Sequence, residues 1–363
     1  MLVSDVLERL GTAAPWSDAA AWDVTGLQLG DPGAEVRRIG VCHEVTEEVV
    51  AAVEERPVDL LITYHPLLFR ATTRLVAGPS PEGRAWRLVR IGVSLAVAHT
   101  SFDVAPGGTA DALAVAVGLG EGEPFGLVSP VDQVKVVTFV PSEAVERVAA
   151  AMAAAGAGVI GTYTACSFRS EGTGAFLAGT GARPVVGTVG VPAREPEVRI
   201  EMVAPASRRD AVAAALVAAH PYERPAYDLY PVTANAGFVG RVGDLEAPMP
   251  FGDLVERVAD RLGGDGLRAA PAAGGSVTRV AVVPGSGSSL IGAAARVAAD
   301  VLVTGDVSHH RLVEAADRGL AVIDPGHAPS ERPGMGALVR AVEQAGDGAE
   351  IVDLTAIDPT PWR

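Results

Sequence analysis

Three short apolar runs in this 363-residue chain close on a histidine, and two of them carry a carboxylate four residues further on. The first is Leu60-Leu61-Ile62-Thr63-Tyr64-His65-Pro66, the second Val97-Ala98-His99-Thr100-Ser101-Phe102-Asp103, and the third Ala321-Val322-Ile323-Asp324-Pro325-Gly326-His327, followed by Glu331. Each reads as a buried strand that delivers an imidazole at its C-terminal end, where open α/β sheets place their ligands. Imidazole with carboxylate suits zinc, iron, nickel or manganese, whereas softer metals select thiolates. Cys42 and Cys166 form no CxxC pair, so thiolate chemistry is set aside and both read as buried structural thiols. The candidate metal set is therefore His65, Asp103, His327 and Glu331. If the chain turns helical after Gly326, His327 and Glu331 share one face, and Pro329 is compatible with a first helical turn.

Other signals have two readings. A lone histidine after a strand is commonly a packed or capping residue. Here, however, six of the seven histidines (43, 65, 99, 309, 310 and 327, all but 220) sit at strand ends or the turns after them. The stretch Pro284-Gly285-Ser286-Gly287-Ser288-Ser289 follows a strand and opens a helix, so it is either a tight turn or a phosphate cradle; it lacks the third glycine of a dinucleotide fingerprint. Trp22-Asp23 is either a core tryptophan beside a turn or part of a site.

Composition removes several function classes. A formal charge of −15 with a single lysine, Lys135, argues against a nucleic-acid partner. No apolar run reaches the roughly 18–20 residues of a membrane span. Residues 1–10 alternate charge with apolar groups like an amphipathic helix and lack a signal peptide's layout, which places the expectation in the cytoplasm.

The elements that must position these groups alternate. Helices are expected at 2–14, 46–55, 81–91 and 112–117, with strands at 39–42, 60–63 and 93–98, which implies a mostly parallel, covered sheet. From about residue 127 a strand (134–140) and a helix (142–155, with Ser142 as its cap) are followed by a second strand (198–203) and helix (207–219), then a strand near 227–230. This duplication predicts an inserted ferredoxin-like domain. The α/β pattern resumes with a helix at 251–262, a strand at 277–283, a helix at 288–298, a strand at 300–304 and a helix at 311–318. The expected organisation is an α/β core in two parts, 1–126 and 234–363, interrupted by an α+β insert at 127–233.

Several motifs then carry a resemblance. Trp22-Asp23, Thr63-Tyr64-His65-Pro66-Leu67, His99 to Asp103, Thr304-Gly305-Asp306, and Gly326-His327 with Glu331 resemble, in order, those of the Nif-three-like dinuclear metal-centre family, many of whose members are called type-two GTP cyclohydrolase I homologues. The middle resembles that family's long form: Gly161-Thr162-Tyr163, Gly172-Thr173-Gly174 and His220-Pro221-Tyr222 are similar to the signature of its PII- or CutA-like insert. The resemblance implies a homohexamer around an internal cavity, one or two divalent metals per chain, and ligands at Tyr64, His65, Asp103, His327 and Glu331, with His99 and His310 close by. Where the family usually has two adjacent histidines before Pro66, this chain has Tyr64 then His65. His43, beside Glu44, could supply the missing imidazole only if its strand lies next to that of Tyr64.

The chemistry this predicts is metal-assisted hydrolysis, in which the bound cation brings water's pKa down to about 7. His99 and His310 are the candidate proton shuttles. A cyclohydrolase-like target, a nucleotide or other heterocycle, follows only from the resemblance. The alternatives are a metal-binding regulatory or delivery protein without turnover, and a paralogue whose site is mononuclear because of Tyr64.

Overall fold

The computed structural model describes residues 1–120, 122–128, 133–160, 163–232, 237–263, 266–272 and 275–357. Gly161 and Thr162 of the expected insert motif, and the boundary positions Thr233 and Ala234, lie outside them. The chain divides into two compact units, Met1–Ser129 with Gly237–Arg363, and Pro130–Ala236.

The first unit begins with strands β1 (Gly26–Leu29), β2 (Arg38–Cys42), β3 (Leu60–Thr63) and β4 (Ser94–Val97), followed by β5 (Glu123–Leu127). The second unit contributes β6 (Gln133–Val140), β7 (Phe168–Leu177), β8 (Pro192–Pro205) and β9 (Tyr227–Val232). The chain then returns to the first unit with β10 (Phe238–Pro250), β11 (Arg268–Ala270), β12 (Ser276–Val282), β13 (Val301–Val303), β14 (Ala321–Asp324) and β15 (Glu350–Asp353).

The first unit holds two sheets. In the order β1-β4-β3-β2-β15, every neighbour is parallel except β1 with β4. In the order β11-β14-β13-β12-β10-β5, only β14-β13-β12 is parallel, so the mostly parallel expectation describes the first sheet and the centre of the second. The antiparallel strands β5 and β11 are short and carry Pro124, Gly126 or charged Arg268, and therefore give little periodic signal. Strands β3, β4, β13 and β14 are buried along their whole length, which is why they read as continuous apolar runs.

Helices cover both faces of each sheet. Helices Val3–Ala13 and His327–Gly346 pack on one face of the first sheet, and Glu47–Glu55 and Pro81–Arg90 on the other. Thr109–Val117 and Phe251–Leu262 cover one face of the second sheet, and Ile291–Arg296 and His309–Asp317 the other. Each buried Leu, Ile or Val contributes about 1.5–3 kcal/mol. Local signals start these helices well: the Thr46 hydroxyl accepts from the Val49 N–H, and Ser80 caps a helix with Pro81 in its first turn. The helix His327–Gly346 packs closely on Thr109–Val117, because a Cβ on Gly334 would lie 2.9 Å from the Thr109 Cα. Cys42 is buried within the first sheet, and burial pushes its thiol up to about 12 despite the Thr63 hydroxyl beside it.

In the second unit the elements run β6, helix Val145–Ala154, β7, β8, helix Arg209–Ala219, β9, and the antiparallel sheet is ordered β7-β8-β6-β9. Val136, Val148, Met152, Ile200 and Leu216 form its core. Ser142 opens a short 3-10 turn and makes no side-chain cap, which corrects the expectation of a helix beginning there.

Candidate metal centre

Backbone pairing brings the rings of His43, Tyr64, His65 and His99 together. The register of β2 against β3 ends at Cys42 beside Thr63, and it continues for one more residue on each side. The Tyr64 N–H donates to the Cys42 carbonyl at 3.0 Å, the His65 N–H to the His43 carbonyl at 2.9 Å, and the His99 N–H to the Tyr64 carbonyl at 3.0 Å. The imidazole of His65 is thereby flanked by His43 at 5.1 Å and His99 at 5.2 Å between ring centroids. From the second sheet, β14 turns through Asp324, Pro325 and Gly326 into the helix that carries His327, whose ring lies 5.4 Å from that of His65.

Glu331 lies at the hub. Its Oε2 is 2.9 Å from Nε2 of His43 and 2.9 Å from Nε2 of His65, and its Oε1 is 3.0 Å from Nε2 of His327. The i, i+4 spacing of His327 and Glu331 thus places both on one helical face. The glutamate is 2% exposed, so its charge is stabilised by these three rings rather than by water. Burial opposes ionisation, yet the His65 charge and the hydrogen bonds from His327, His43 and His65 outweigh it and hold the carboxyl well below the usual range. His327 shows the converse: desolvation works against its charge, but Glu331 and then Asp306 lift it to about 9.

Carboxylates behind the rings orient them. The Asp306 Oδ2 is 2.6 Å from His327 Nδ1, and the Asp23 Oδ1 is 2.8 Å from His99 Nδ1. A carboxylate on Nδ1 fixes which nitrogen carries the proton and leaves Nε2 directed the other way. Asp23 also accepts from the Thr100 N–H and hydroxyl, and its carboxyl is lowered: burial opposes this, but His99 prevails. Both His99, at φ 35°, and Asp306, at φ 58°, hold left-handed backbone conformations, each costing a non-glycine residue about 1–3 kcal/mol. Such strain is found where a side chain must be aimed.

Tyr64 and Asp103 form a separate pair. The phenol, 1% exposed, donates its O–H to Asp103 Oδ1 at 2.5 Å. Burial raises Tyr64 well above its ordinary value, aided by the charges of Asp103 and Glu331. Burial likewise lifts Asp103 to about 6, although the Tyr64 hydrogen bond and His99 charge oppose it.

The chemistry of the donors fits a metal of the zinc or iron type. One ligating atom each from His43, His65 and Glu331 lie within 4.8 Å of one another, and His327, outside that group of three, meets the second glutamate oxygen. Gly285 makes room for them: a Cβ there would sit 2.5 Å from Glu331 Oε1, and φ is +60°. The loop around Gly285 is not a phosphate cradle. Its Gly285 N–H is donated to Ser330 Oγ and its Gly287 N–H to Thr304 Oγ1, and the following α-helix, Ile291–Arg296, is a short one behind a 3-10 turn.

Of the residues singled out by sequence, His65, His327 and Glu331 meet directly, Tyr64 and Asp103 meet each other, and His99 stands beside them. His310 is not brought into this cluster among the described residues: it is exposed in the first turn of His309–Asp317, its ring 5.7 Å from that of His309. Asp306 was visible only as part of a motif, and Asp23 as a turn residue or, with Trp22, as part of a site; Asp306 follows the end of β13, and Asp23 precedes β1. Trp22 is 58% exposed rather than a core residue, and lies edge-on to Phe69 at 5.9 Å and to His99 at 6.1 Å.

The model of the Duf34/NIF3 (NGG1p interacting factor 3) family matches residues 1–361. The chain belongs to this family. A Duf34/NIF3 relative from Mycobacterium tuberculosis, called GTP cyclohydrolase 1 type 2 homolog, is 40% identical over 99% of this chain and 96% of its own length. One of the same description from Bacillus subtilis is 39% identical over 89% and 87%. Among solved Duf34/NIF3 structures, a Bacillus cereus protein related to NIF3 superposes with a TM-score of 0.66 at 33% identity, over 100% of this chain and 99% of that one. Among the described residues no helix is long and apolar enough to cross a membrane.

Proposed function

We propose that the chain is a metal-dependent hydrolase acting on a small molecule, with a nucleotide or related heterocycle as the substrate class. The observation that supports this reading is the convergence of three imidazoles on the buried carboxylate of Glu331. His43, His65, His327 and Glu331 would hold the cation, with Asp306 keeping His327 in the required tautomer. When bound, such a cation supplies Lewis acidity, enough to bring water's ionisation close to neutral pH. His99, oriented by Asp23, is positioned to take or return a proton through Nε2. The exposed Trp22 and Phe69 offer apolar faces beside His99 on which a planar ring can stack.

The relatives' description as GTP cyclohydrolase homologues agrees with a ring-opening hydrolysis, and a homohexamer in the cytoplasm is the proposed setting. We read the unit Pro130–Ala236 as an inserted ferredoxin-like domain on the grounds of its β-α-β-β-α-β order. That unit contains a cavity of about 630 Å³, lined in part by Phe139, Phe176, Arg183 and Tyr222, which favours a second reading: a metal-handling regulatory protein that senses a ligand there. Purified protein loaded with zinc, iron, manganese or nickel, assayed for turnover on nucleotides and other heterocycles, separates the two. Hydrolysis that chelation abolishes supports the first. Exchangeable metal with no turnover on any of them overturns it in favour of the second.

A further inference from the structure

We infer that the centre holds one cation per chain, and that His43 is one of its ligands while Tyr64 and Asp103 stand outside it. This rests on the metal reading above and specifies which side chains carry it.

The case for His43 is positional. Parallel pairing of β2 with β3 runs one residue past each strand, so His43 and His65 leave the sheet side by side. Their rings stack at 5.1 Å with 29° between planes, and both Nε2 atoms lie 2.9 Å from the same oxygen of Glu331. The His43 side chain is 3% exposed, and its Nε2 is held against Glu331 away from water. A cation facing Glu331 meets His43 and His65 equivalently.

The case against a second cation is chemical. The oxygen that Tyr64 offers still carries its proton, and that proton is given to Asp103. Ligation through the Tyr64 oxygen would disturb this buried hydrogen bond, and a neutral phenol is a weak donor to divalent zinc or manganese; Asp103 lies outside the group of ligating atoms of His43, His65 and Glu331 that sit within 4.8 Å of one another. Asp103 is therefore the acceptor that fixes Tyr64, and the phenol closes that side of the centre.

The test is metal content per chain with affinity measured by chelator competition, on the wild type, His43→Gln, Tyr64→Phe and Tyr64→His, each checked for folding by a thermal melt in chelator. The expectation is one metal in the wild type, one unchanged in Tyr64→Phe, and a second in Tyr64→His, where an imidazole next to Asp103 completes a new donor pair. His43→Gln is expected to bind at least about tenfold more weakly, in the range for losing a supporting group at such sites. X-ray absorption of zinc-loaded wild type needs no variant and is expected to count three imidazoles, from His43, His65 and His327. Two metals in the wild type, loss of metal in Tyr64→Phe, unaltered affinity in His43→Gln, or two imidazoles per zinc would each overturn the assignment. Failure of the metal reading itself looks different: wild-type protein that binds none of zinc, iron, manganese or nickel.

Discussion

At the scale of single residues, the centre depends on groups that never touch a ligand. Asp306 is half exposed, yet its carboxylate meets His327 Nδ1 at 2.6 Å and so decides which nitrogen faces Glu331. Asp306→Asn keeps the shape and offers an amide that can donate to that nitrogen, thereby favouring the wrong tautomer. We expect metal affinity to fall about 10–100-fold with little change in melting temperature of the metal-free protein, read by chelator competition. An unchanged affinity would show that His327 is held by Glu331 alone. This residue was legible in the sequence only as the aspartate of Thr304-Gly305-Asp306. Its left-handed backbone and its reach to a histidine 21 positions away are properties of the folded turn.

At the scale of elements, the helix His327–Gly346 ties the centre to the rest of the first unit. It carries His327 and Glu331 on one face, and Gly334 lets it approach Thr109–Val117 almost backbone to backbone. A Cβ at Gly334 would lie 2.7 Å from Thr109 Cγ2 and 2.9 Å from its Cα, and backbone has no rotamer by which to move aside. Gly334→Val is expected to cost about 1–3 kcal/mol by overpacking, seen as a lowered midpoint in denaturant. The helix must move for the valine to fit, so the variant is also expected to bind metal more weakly; full stability would mean that the helices part without penalty. The i, i+4 pairing of His327 and Glu331 was readable because a helix makes it inevitable. The close approach at Gly334 was not, since an isolated glycine inside a helical pattern says nothing about what lies opposite.

At the scale of the whole molecule, the two units respond to conditions through different groups. In Pro130–Ala236 the buried His220 donates from Nε2 to the Phe139 carbonyl and accepts the Tyr222 N–H on Nδ1, both at 3.0 Å, an arrangement that requires the neutral ring. Desolvation, with a contribution from Arg147, lowers its pKa below 6.5 against the opposing Phe139 hydrogen bond and Glu197 charge. The unfolded chain therefore takes up the proton first as pH falls. The stability this group contributes is present above the unfolded value of about 6.5 and is lost as pH falls from there through the lower folded value. Melts between pH 5.5 and 8 should show this loss for the wild type and a flatter profile for His220→Gln; parallel profiles would remove His220 from the account. On the proposed metal reading, a cation at about 100 times its Kd adds about 2.7 kcal/mol, so chelation should lower the melting transition of the unit that contains Glu331.

By itself the sequence determined the local part of this protein. Buried strands announce themselves as apolar runs because both of their faces are covered, helices as amphipathic periods, and the site as histidines that end those runs. Only the tertiary structure decided which of these chemical groups meet. That β15 returns to pair with β2, that β2 lies beside β3, and that His43 and His65 therefore share one oxygen of Glu331 are outcomes of strand order. Strand order joins residues as far apart as 43 and 331, and no local pattern encodes it, because a strand's hydrogen-bonding edges are the same backbone N–H and C=O groups whichever neighbour they find. The pairing of Tyr64 with Asp103, each legible as a candidate ligand, was settled in the same way: a buried phenol must place its proton somewhere, and the fold put a carboxylate there.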